Sequence, residues 1–132
     1  MAIAPDHTIV SARDPQAAAR RLGELLGVPW SASGIGPFSP VYVSDGFTVD
    51  FVADPGPFPI EHIAFRVDDA TFDAILGRLR AAGVPFRSQV HGPMDMAIDT
   101  AYGGRIVYWN EPEGHYWEIL TRSYARQPRA GR

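Results

Sequence analysis

Residues 7–14 read HTIVSARD, and residues 62–69 read HIAFRVDD. Each stretch opens on histidine, alternates apolar with small or polar residues, and reaches aspartate seven positions on. Alternation of this kind marks a half-buried strand. An aspartate ahead of a helical pattern marks an N-cap, so Asp14 and Asp68 or Asp69 are expected to start helices. The first helical stretch ends LLGVPW (25–30) and the second AAGVPF (81–86). Gly27 and Gly83 suit a left-handed cap, and the prolines that follow block continuation. The chain is therefore an internal repeat.

The two copies also finish alike. Residues 45–52 read DGFTVDFV and residues 113–120 read EGHYWEIL. An acid-Gly pair between apolar runs is a hairpin signal, and Asp50 and Glu118 then fall in mid-strand. Each copy reads strand, helix, strand, strand, strand. In copy one the strands are expected near 6–12, 29–33, 39–44 and 47–53, with a helix near 14–26. In copy two they are expected near 61–67, 85–90, 104–110 and 115–121, with a helix near 69–82. Phe72, Ile75, Leu76 and Leu79 form the stripe by which that second helix packs on a sheet. DPGPFPI (54–60) is a proline-rich link. The predicted class is α+β: two βαβββ modules, 1–54 and 61–121, in one domain of residues 1–121, followed by a basic, flexible tail over 122–132.

Alternate strand residues share a face. One face of each sheet is nearly all large and apolar, and should carry the helix. The other presents His7, Asp50, His62, Arg66, Tyr116 and Glu118. Two histidines and two carboxylates, one from each of four strands, are not a core pattern, because a buried carboxylate costs several kcal/mol unless paired or metal-bound. If the four converge, a divalent cation neutralises them. Imidazole and carboxylate ligands suit Fe, Mn, Ni, Co or Zn.

Composition narrows the chemistry. The 132 residues suffice for one domain or two small repeats. Cysteine is absent, which removes disulfides, thiolate zinc sites and cysteine nucleophiles. All 12 basic residues are arginine, so no Schiff-base or phosphate-loop lysine exists. Net charge is −3; the tail holds four arginines and no acid, leaving 8 basic against 15 acidic residues in the body. That acidic body argues against nucleic acid as partner. No apolar run is long enough to span a membrane, and no signal-peptide pattern is present. A soluble cytoplasmic protein is expected.

The repeat, the histidine heading each module and the ending NEPEGHYWEIL (110–120) resemble the vicinal oxygen chelate superfamily, which includes glyoxalase I, extradiol dioxygenases, fosfomycin-modifying thiol transferases and bleomycin-binding proteins. That ending is similar to the superfamily's Asp-Pro-x-Gly-His-x-x-Glu, with Glu111 in the aspartate place. The resemblance covers the chain to about Thr121. It implies paired modules whose curled mixed sheet surrounds a metal cleft, with His7, His62 and Glu118 as metal ligands. Asp50 matches the place of a glutamate in four-ligand members. It then binds the metal, binds through water, or serves as a base; the alternative is a carboxylate paired with Arg66 or a threonine hydroxyl. Asp50 and Glu118 are the candidates for moving a proton.

The implied activity is metal-dependent and glyoxalase-like: isomerisation, or thiol addition with a low-molecular-weight thiol, on a small molecule with vicinal oxygens. Extradiol-type ring cleavage and non-catalytic drug binding are the alternatives. A homodimer is expected. The fosfomycin enzymes generally use a cleft lysine, which this chain lacks.

Outside that set, His115 reads as a turn residue bonding to backbone and pointing away from Glu118. Residues 87–103, RSQVHGPMDMAIDTAYG, are long for a hairpin connection, and such lengths often serve as lids. His91, Met94 and Tyr102 within it, with Arg66 and Tyr116, are candidate substrate contacts; the alternative for the segment is a surface loop with buried methionines. Trp30, Trp109 and Trp117 read as core or dimer contacts.

Overall fold

The structure is a computed structural model, and it describes residues 2–126. Strand β1 (His7–Ala12) leads into helix α1 (Pro15–Leu26). Asp14 caps α1 by accepting a hydrogen bond from the Ala17 N–H at 3.1 Å, and Pro15 takes the first turn, where no amide partner is needed. Gly27 ends the helix at φ 71°, the left-handed value its lack of a side chain permits. Strands β2 (Phe38–Ser44) and β3 (Phe47–Ala53) form a hairpin across Asp45-Gly46. β3 lies in the middle of the sheet, antiparallel to β2 and parallel to β1.

The second copy repeats this plan. β4 (His62–Arg66) is followed by α2 (Asp69–Ala81), β5 (Ile106–Asn110) and β6 (Tyr116–Leu120). Asp68 is the N-cap, accepting from the Thr71 N–H at 2.8 Å. β6 is central, antiparallel to β5 and parallel to β4. The described chain divides into two compact units, the first ending at Glu61 and the second beginning at His62. The architecture is α+β in two modules, as the repeat predicts.

One strand per copy departs from expectation. Residues 29–33 and 85–90 do not form strands; each contributes a single bridge, Trp30 to Val41 and Arg87 to Tyr108. In the first copy Pro29 and Pro40 supply no N–H, and pairing stops after Tyr42 N to Pro29 O and Ser31 N to Pro40 O. In the second, Ser88 N turns aside to the Asp95 carboxylate, which also takes the Ser88 hydroxyl and the Ala97 N–H. Each sheet therefore has three strands, not four.

The helix-bearing faces are apolar as read. Val10, Ala12, Val49 and Phe51 are buried in the first unit with Ala18, Ala19, Leu22, Leu25 and Leu26 of α1. In the second, Phe72, Ile75, Leu76 and Leu79 of α2 are buried, as are Phe65, Trp109, Trp117 and Ile119. Arg105 fastens α2, pairing with Asp69 and Asp73 while its guanidinium lies 4.3 Å over the Phe72 ring. The opposite face of the second sheet has an apolar patch of its own: Ile106, Tyr108 and Leu120, covered by Val90 and Tyr124. Tyr124 belongs to the stretch expected to be a flexible tail. Its ring packs instead on this patch, because β5 and β6 leave apolar side chains there. The remainder of that tail, 127–132, lies outside the described residues. No helix among the described residues is long and apolar enough to cross a membrane.

Candidate metal-ligand site

β4 and β6 run parallel with His62 opposite Tyr116 and Ala64 opposite Glu118. His62 and Glu118 are thus diagonal neighbours on one face, and His62 Nε2 lies 2.9 Å from Glu118 Oε1. The central position of β6 leaves the glutamate side chain 0% exposed, against 31% for the histidine. Tyr124 donates its phenolic hydrogen to the same Oε1 at 3.0 Å. Both oxygens of this acid are buried, and Oε2 has no hydrogen-bond partner.

Two phenols guard the carboxylate. Burial first, and then the hydrogen bond to Glu118, push Tyr124 well above the ordinary tyrosine range. Tyr108, bonded to Tyr124, is raised by burial and by the Glu118 charge. Both stay protonated at neutral pH and serve as donors. Tyr116 stacks on His62, with ring centroids 4.4 Å apart and planes 22° apart. His91 meets Tyr116 edge-on at 6.0 Å, and Tyr102 lies 5.2 Å from Tyr124. Met94 is more remote: its sulfur accepts from Arg87, whose guanidinium stands over Tyr116 and bonds Asn110 and the Val90 carbonyl. Arg66 lies on the face of Ala64 and Leu120, beside a cavity.

The first unit holds the other half of the candidate set in the same register. Thr48 faces His7 and Asp50 faces Ile9 across β1 and β3, so Asp50 stands diagonal to His7 as Glu118 does to His62. The hydrogen bond that His7 Nδ1 donates to the Asp6 carboxylate, at 2.7 Å, raises the histidine's pKa, and the charges of Asp6 and Asp50 add to it. Asp6 escaped the sequence reading although it immediately precedes the histidine. A carboxylate on Nδ1 is the partner that orients a ligating imidazole and leaves Nε2 to the metal. Tyr124 and Arg87 also escaped it. One lies past the last motif, and the other is a buried arginine that nothing in the spacing distinguishes from a surface one.

Neither unit by itself gathers three His, Asp or Glu side chains into a metal-holding group among its described residues. The donors in the second unit nevertheless suit a cation. A buried acid with one oxygen tied and one unpartnered, against a partly exposed imidazole, is the oxygen-and-nitrogen chemistry of Fe, Mn, Co, Ni or Zn sites. His115 is fully buried, with its ring 6.1 Å from Trp117. Its backbone N–H donates to Glu111 Oε1, and Glu111 N donates to its carbonyl, which closes the turn.

No protein-family model and no curated protein matches the chain. Solved structures do. The oxidase ChaP-H1 is 42% identical, with a TM-score of 0.86 over 94% of this chain and 99% of that one. The oxidase ChaP-H2 is 38% identical, with a TM-score of 0.88 over 95% and 98%. A glyoxalase/dioxygenase from Nostoc punctiforme, at 22% identity, shares the fold, with a TM-score of 0.64 over 89% of each chain. The chain belongs to the vicinal oxygen chelate superfamily. Within that superfamily one scaffold carries many chemistries, so membership leaves the reaction to the site residues.

Proposed function

We propose that this superfamily member is a metal-dependent oxidoreductase acting on a small molecule with adjacent oxygens. The observation that carries the reading is Glu118: an acid wholly buried beside His62, with one oxygen unpartnered. Its likeness to two proteins named as oxidases favours oxidation over the glyoxalase-like isomerisation or thiol addition that the sequence reading placed first. His62 and Glu118 would hold a cation in the second module, an imidazole and a carboxylate that suit Fe(II) with open positions, and His7, oriented by Asp6, is the matching imidazole of the first module. A cation at these ligands would supply Lewis-acid stabilisation of negative charge developing on a substrate oxygen.

The chain's own groups do the rest. Asp50, diagonal to His7 on the first module's sheet, is the matching acid there and the group that would take up a proton in that module. Tyr124 keeps the Glu118 carboxylate fixed through its donated hydrogen bond. Tyr116 and His91 offer aromatic surface beside His62 for a planar substrate.

The test is dioxygen uptake. Protein loaded with Fe(II), Mn(II), Co(II), Ni(II) or Zn(II) is supplied with catechol-type diols, and in parallel with the glutathione adduct of methylglyoxal. Oxygen consumption is expected with a diol and with Fe(II) or Mn(II), and its loss in His62→Ala and Glu118→Gln. Turnover of the thiol adduct without oxygen uptake would restore the isomerase reading. Protein that retains no metal under any loading would end both.

A further inference from the structure

Arg66 ends β4, is exposed, and has no acidic partner among the described residues. By contrast Arg105 holds two aspartates and Arg20 holds Glu24. Beside Arg66 lies a cavity of about 360 Å³, lined by Ala64, Arg66, Leu120, Ser123, Tyr124 and Ala125. That volume falls near the lower end of small-molecule sites. Its floor follows the sheet: Arg66 stands opposite Leu120, and Ala64 opposite Glu118. The walls are mostly apolar, with one tyrosine ring and one guanidinium.

We propose that this cavity binds the anionic end of a small aromatic carboxylate, with Arg66 on the carboxylate and the ring against Leu120 and Tyr124. A guanidinium fork matches a carboxylate in two parallel hydrogen bonds. A single arginine on an apolar floor suits a monoanion better than a phosphate, which brings a second charge and a third oxygen. Tyr124, flanked by Tyr102, gives the cavity a flat aromatic wall. From Arg66 to the Ala64–Glu118 pair is two residues along the strand, roughly 7 Å, the length of a fused two-ring skeleton. A ligand held at Arg66 therefore reaches the Ala64 end of the cavity, beside Tyr124, whose hydroxyl bonds Glu118. This inference rests on the reading that the His62–Glu118 end acts on a small molecule, and adds the substrate's class and polarity.

The experiment measures binding to the metal-free full chain, so it stands apart from turnover. 2-Naphthoate and its neutral counterpart 2-naphthamide are titrated while backbone amide resonances are followed. Naphthoate is expected to bind about tenfold tighter, with the largest shifts at Ala64, Arg66, Leu120 and Tyr124. Arg66→Met, which keeps the length and removes the charge, should erase that preference; Arg66→Lys should keep part of it. Equal binding of the two probes, a preference that survives Arg66→Met, or shifts located elsewhere would each overturn the proposal. Unchanged melting temperatures in both variants show that the fold is intact. Oxygen uptake can fail while this binding holds, and the reverse, so the two readings are decided separately.

Discussion

Glu118 occupies the middle strand of its sheet, where His62 and the phenol of Tyr124 close over it. Removing the donor leaves a buried acceptor with one partner fewer, so Tyr124→Phe should lower the unfolding free energy by about 1–2 kcal/mol. Urea denaturation checks this, and an unchanged midpoint would show that the phenol adds nothing. Glu111 is a second buried acid, with Oε2 unpartnered. Burial raises its carboxyl pKa above the ordinary 4.5, although the His115 N–H opposes the shift. The folded state therefore holds that proton more tightly than the unfolded chain. Its contribution is fully present below 4.5 and is lost as pH rises through the raised value. Glu111→Gln keeps the acceptor for His115 and removes the titration. The variant's melting temperature, relative to the parent, should rise between pH 4 and pH 7; a constant difference would contradict the assignment.

At the level of elements, the caps were legible because each depends on a few adjacent residues. Asp14, Asp68 and Gly27 do what their positions announce. Asp14→Ala should cost about 1 kcal/mol of stability, the usual loss of an N-cap, read by thermal melting. Asp68 keeps its carboxyl below the ordinary value through its hydrogen bonds with Thr71, so that cap weakens as pH falls through the depressed pKa. Gly23 is less obvious. A Cβ there would lie 2.6 Å from Trp30 Cδ1 and 2.8 Å from its Cβ. Alanine normally favours a helix over glycine by about 1 kcal/mol. Here the contacts fall on the tryptophan's Cβ and Cγ, next to its backbone, rather than on a freely rotating tip, so Gly23→Ala should instead destabilise by about 1–3 kcal/mol. A stabilised variant would mean that the indole swings aside. The missing strands at 29–33 and 85–90 were not legible: whether an amide pairs with a neighbouring strand or with an Asp95 carboxylate depends on what lies across from it.

For the molecule as a whole, the repeat makes a sharp demand. His7 and His62 hold the same place relative to Asp50 and Glu118. His62→Ala should weaken Mn(II) binding, measured calorimetrically, by at least about tenfold, and the same titration of His7→Ala tests the matching imidazole of the first module. If only His62→Ala does so, the first module has no part in holding the ion.

The linear chain by itself determined the two-module α+β plan, the helix caps, the helix-bearing faces and the placing of a histidine and an acid on one sheet face in each copy. These follow from periodicity and local capping, which act over a few residues. Only the folded chain decided that Glu118 lies wholly out of water, that a tyrosine beyond the last motif tethers it, and that Arg66 borders a cavity. Burial and hydrogen-bond partnership are set by residues distant along the backbone, and no local pattern encodes them.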